Sequence, residues 1–132
     1  MKVYRLTVTE NQLAAIDRAL ESFMRMSVGQ FKYSIEEVWR DKVMEVDRRE
    51  LESICDRLKE MYTGYKDRGA SYGIHSKEVQ EDARIAWDIK QVIRHRLSYD
   101  RHPEGGHTVN FNPPNRSSLE PLPGIEKKVD NE

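Results

Sequence analysis

Arg84, Trp87, Asp88, Gln91, Arg94 and His95 bring guanidinium, indole, carboxylate, amide and imidazole groups together in one short stretch. At about 100° per residue they share one arc of a helix. A solvated face is usually Glu and Lys. Arginine, tryptophan and glutamine are instead the types that stack, fork and hydrogen-bond with specificity. Tyr65, Arg68 and Tyr72 interleave aromatic and cationic groups just upstream, and His107 follows downstream. This set suits a small nucleotide-like anion. Trp87 or Tyr72 would stack a base, Arg84 and Arg94 would hold phosphate, and Asp88, Gln91, His95 and His107 would supply polar contacts. The same arc would equally serve as a subunit or helix contact, with Asp88 paired to Arg84 or Arg94.

Other chemistries find less support. His95, His102 and His107 lie around one Gly-rich turn, with Asp88 and Asp100 near, but without the i, i+4 or CxxC spacing of a metal site. Glu36, Glu37 and Asp41, and the acids from Glu78 to Asp82, do not form the paired ExxE and ExxD motifs of an all-α pyrophosphohydrolase. There is no P-loop, GxGxxG or nucleophile elbow, and Cys55 sits in helical apolar context as a small core residue. No catalytic residue, metal or cofactor is assigned. A metal-dependent hydrolase built on the histidines and Asp88 is the third reading, behind binding of a ligand and inhibition of a protein.

The elements that must position these groups follow in order. Lys2–Thr9 alternates as a β-prone strand. Thr9 to Gln12 has the pattern of a capping box, opening a helix that buries Leu13, Ile16, Leu20, Phe23 and Met24, with Asp17, Arg18, Glu21 and Arg25 on its wet side. Gly29 ends it. A second helix is expected from about Gln30 to Met44, and a third from an Asp47 cap to about Tyr62, closed by Gly64. The fourth, Ser76 to Tyr99, contains no Gly or Pro and carries a broad apolar arc (Val79, Ala83, Ile85, Ala86, Ile89, Val92, Ile93, Leu97). His107 to Phe111 alternates again, and antiparallel pairing with Val3 to Val8 would satisfy both segments. The expected fold is α+β but mainly helical: about four helices, a small two-stranded antiparallel sheet and an extended C-terminal tail. Residues 1–111 form one domain. Residues 112–132 are a Pro-rich tail, docked in part through Leu119, Leu122 and Ile125 either on this chain or on a neighbouring subunit, with its last six residues disordered.

With 22 Lys plus Arg against 23 Asp plus Glu, the formal charge of -1 gives no global field toward nucleic acid or an anionic membrane. No apolar run reaches the length of a membrane span. A cytoplasmic protein is expected, and a homo-oligomer, because one chain supplies too few walls for a pocket around the fourth helix.

MSVGQF after the first helix, ARIAWDIKQVIRHRL on the fourth, and GGHTVNF before the Pro-rich tail together resemble a group of small proteins encoded by tailed bacteriophages. The resemblance spans Val3 to about Pro123. It implies an accessory protein, of anti-defence type in some cases, that acts in the host cytoplasm either by sequestering a signalling nucleotide or by blocking a host protein.

Overall fold

The computed structural model describes residues 1–128. Helix α1, Glu10–Ser27, starts where the side chain of Thr9 accepts from the Gln12 amide at 3.1 Å and the Gln12 side chain accepts from the Thr9 amide at 2.9 Å. This reciprocal pair is the capping box expected from the sequence. Gly29 then reverses the chain with φ +96, and a Cβ there would lie 2.8 Å from Thr63 Cγ2. Glycine is required here by both conformation and space.

Helix α2 spans Phe31–Trp39, shorter than the sequence suggests. Arg40 adopts φ 56 and ψ -127, which breaks the α pattern, and Arg40–Glu45 continues as 3-10 turns. Helix α3, Arg48–Thr63, has the Asp47 side chain accepting from the Glu50 amide and closes on left-handed Gly64. Helix α4 spans Glu81–Arg101. It begins later than expected because Ser76 caps a local turn: its hydroxyl accepts from the Glu78 amide, and its carbonyl from the Val79 amide.

Helix α1 packs on α4 and α2, and α2 packs on α3. Met24, Val28, Val79 and Ala83 form one buried cluster, with Tyr72, Ile74 and Trp87 against it. Val43, Leu51 and Cys55 form a second, with Ile35 against it. Burial raises the Cys55 thiol above its ordinary range, in keeping with a packing role. No described helix is long and apolar enough to cross a membrane.

The expected two-stranded sheet is absent: the described residues contain four α-helices and short 3-10 turns, and no strand. The fold is all-α. Local packing explains why the second segment does not pair. Val109–Phe111 forms a 3-10 turn, with the Phe111 amide donating to the Thr108 carbonyl at 3.1 Å. The Phe111 ring then meets Tyr99 edge-on at 5.2 Å, over Gly106. Phe111 is thereby held on the end of α4, where ladder bonds to the N-terminal segment are out of play. Residues 1–8 form an arm without regular secondary structure, exposed along nearly all its length. For residues 129–132, the expectation of a disordered terminus falls outside the described residues.

Candidate functional site

Helix α4 is covered on two sides, and its polar arc faces inward. Asp88 is only 2% exposed. Its Oδ1 accepts from the Ser117 amide at 2.7 Å, and its Oδ2 from the Ser118 amide at 2.9 Å and the Ser118 hydroxyl at 2.7 Å. One turn further along, Gln91 holds Asn115 by both backbone groups: Nε2 donates to the carbonyl at 3.0 Å and Oε1 accepts from the amide at 3.2 Å. At the opposite end Glu81 Oε1 accepts from the Leu119 amide at 2.6 Å. That bond, with a second from Arg84, keeps the Glu81 carboxyl below its ordinary range. Residues 115–119 thus run antiparallel along α4, held mainly through their backbone. Leu119, one of the residues expected to dock on this chain or on a neighbouring subunit, is 85% exposed on this chain, and Ser118 is the buried side chain.

Arg84 serves the other flank. Its guanidinium donates to the carbonyls of Ile74, Ser76 and Val79 and to Glu81 Oε2 at 2.9 Å. It ties the loop before α4 onto the helix and does not reach Asp88. Tyr72 lies in that loop, its amide donating to the Val28 carbonyl and its ring edge-on to Tyr62 and Tyr65. Trp87 packs on the first core cluster with the guanidinium carbons of Arg25 and Arg94 each 5.8 Å from its ring. His95 leans on Tyr99 at 5.0 Å. His107 is exposed beyond the helix. The expected residues therefore divide into three groups. Asp88 and Gln91 clasp the tail, Arg84 and Tyr72 fix the loop, and Trp87 and Arg94 form a cation–π pair, while His95 and His107 join none of these. Among the described residues no group of three or more His, Cys, Asp or Glu side chains converges as metal ligands do.

A buried ionic cluster lies on the α1 side. Lys90 Nζ is 3.1 Å from Asp17 Oδ1 and 3.0 Å from Glu21 Oε1, with its side chain 6% exposed. Tyr33 donates to Glu21 Oε2, and Arg25 lies 3.5 Å from the same oxygen. Asp17 and Glu21, placed on the wet side of α1 by sequence, face α4 instead, because Lys90 brings a charge that must be paired. Lys90 is the single lysine of α4. A lone lysine beside an apolar arc, with two acids at i, i+4 on another helix, is the signal that could have revealed this contact.

Burial alone would raise the Glu21 pKa, but hydrogen bonds from Tyr33 and Lys90, with the charges of Lys90 and Arg25, outweigh it and lower the value. A depressed folded pKa contributes stability above the unfolded value of about 4.3, and that stability is lost as pH falls through the folded value. The melting temperature is therefore expected to decline as acid protonates Glu21. In Glu21→Gln this part of the acid dependence disappears, as a pH series of thermal melts on both proteins checks.

No protein-family model, curated protein or solved structure matches this chain.

Proposed function

We propose that the chain is a non-catalytic interaction protein that binds extended polypeptide, with its own residues 115–119 as the occupant of the clasp. The carrying observation is the way Asp88, Gln91 and Glu81 are used: they meet the backbone of Asn115, Ser117, Ser118 and Leu119. A partner suited to this face is an extended segment with a small hydroxyl side chain over Asp88. In the setting implied by the phage resemblance, that partner is a host protein in the cytoplasm, and the effect is inhibition.

Replacing Ser117 and Ser118 by proline in the full-length chain removes all three donors to Asp88 and opens the clasp. A labelled peptide spanning Asn112–Glu126 is then expected to bind in trans by fluorescence anisotropy, and Asp88→Asn in the same background should abolish this. Failure of the opened clasp to take up the peptide would sink the proposal.

A second reading rests on one specific arrangement. Arg94 makes no ion pair among the described residues and stacks on Trp87, which Arg25 also approaches. That column has the chemistry for a nucleotide-like anion. A thermal-shift panel of mononucleotides, cyclic nucleotides and ADP-ribose derivatives tests it. Ligand at about 100 times its Kd stabilises the fold by about 2.7 kcal/mol. A selective rise lost in Arg94→Ala favours this reading; a flat panel leaves the peptide reading alone.

A further inference from the structure

The chain has an apolar groove and, at its other end, an exposed arm whose apolar anchors do not seat in it. The groove, about 470 Å³, is bounded by the end of α1 and by α3, and no charged residue lines it. Phe23 and Met26 on α1 and Leu58 and Met61 on α3 are all exposed there. These are stripe residues of amphipathic helices, the class that normally meets a core. The arm is equally unpartnered. Tyr4 and Leu6, 85% and 77% exposed, stand two residues apart with Val8 two further on, a spacing that puts all three on one face once the arm lies extended. Among the described residues no hydrogen bond is made to a backbone group of residues 1–8.

The two apolar anchors of the arm fall short of a seat in the groove of their own chain. The arm joins α1 at Thr9, whereas the groove begins at Phe23, about 21 Å further along the helix at 1.5 Å per residue. Leu6 lies three residues before Thr9 and reaches back at most about 10 Å, and Tyr4 about 17 Å. Leu6 falls well short, and the Tyr4 ring comes only to the near edge of the groove with the arm fully extended, so the two cannot seat there together. A second copy related by a two-fold axis lying across α1 reverses the helix direction and brings its arm to this groove, while the first arm enters the second groove. Such an exchange is self-complementary and closed.

The exposed area agrees. A compact monomer of 15.5 kDa would expose about 7,200 Å², whereas this chain exposes 9929 Å². The excess, on the order of 2,700 Å², includes the arm and the tail, and it exceeds what a standard interface of roughly 1,600 Å² would bury.

We propose that the chain is a homodimer in which the N-terminal arm of each copy, through Tyr4 and Leu6, fills the apolar groove between α1 and α3 of the other. Sedimentation equilibrium of the full-length protein at tens of micromolar is expected to give twice the chain mass. The Tyr4→Asp/Leu6→Asp double variant should weaken association on the order of 100-fold with an unchanged helical circular dichroism spectrum, since the arm contributes no helix. Met61→Asp should do the same from the groove side. A wild-type monomer overturns the proposal, and so does a dimer that survives the arm substitutions, including the case in which Met61→Asp alone dissociates it.

Discussion

Lys90→Met is expected to destabilise the fold by about 3 kcal/mol, at the lower end of what removal of one partner from a buried ion pair costs. In a chain of this size that corresponds to a fall in Tm of about 10 °C. The substitution keeps the length of the side chain, so packing between α1 and α4 is largely preserved. What changes is charge. Asp17 and Glu21 stay at the interface, with side chains only 21% and 16% exposed, and lose the ammonium that both approach. Arg25 compensates little, at 3.5 Å from one Glu21 oxygen and already bonded to Gln30.

The triple variant Asp17→Asn/Glu21→Gln/Lys90→Met separates charge from shape. It removes the stranded carboxylates and is expected to recover most of the loss, because a neutral interface avoids the desolvation of ions. Thermal melts on the two proteins decide the matter. Equal stability of wild type and Lys90→Met would mean that the cluster contributes nothing to holding α1 on α4.

This cluster also marks the limit of what the sequence displays. The caps at Thr9 and Asp47 and the stop at Gly64 are local chemistry, and the helices begin or end there as expected. Arg40, by contrast, carries no local signal for a left-handed backbone, so the early end of α2 was not legible. Val3–Val8 and His107–Phe111 both alternate, but alternation states only that a segment suits a strand. It cannot supply a neighbour. Phe111 found its contact on Tyr99 instead, and the sheet expected from the pattern did not form.

The polar arc of α4 was visible as an unusual composition, yet its partners lie far away in sequence. Asp88 is bonded to residues about thirty positions downstream, and periodicity contains no information about such a return. The arginines beside it looked like natural counter-ions for Asp88. Backbone carbonyls take Arg84 and the face of Trp87 takes Arg94, and Asp88 is left to backbone amides.

For that reason Asp88→Asn should release the tail without unfolding the helices. The carboxylate accepts two backbone amides and the Ser118 hydroxyl. Bonds to a charged acceptor contribute about 1.5–3 kcal/mol each net of hydration, and the asparagine oxygen keeps part of the set, so the net loss is about 3 kcal/mol. The asparagine amide cannot reproduce the set, since its nitrogen would confront an N–H donor. Hydrogen exchange at the Ser117 and Ser118 amides is expected to accelerate on the order of 100-fold, because tail opening is local and exchange follows its free energy. Amides in the middle of α1 should keep their wild-type rates. Gln91→Ala, which removes two neutral bonds, should accelerate the Asn115 amide by roughly tenfold. Leu119→Asn, a change at an exposed side chain, should leave all these rates alone. If Asp88→Asn instead speeds exchange throughout α4, the carboxylate is a support of the helical core and the tail is no separable occupant of its face.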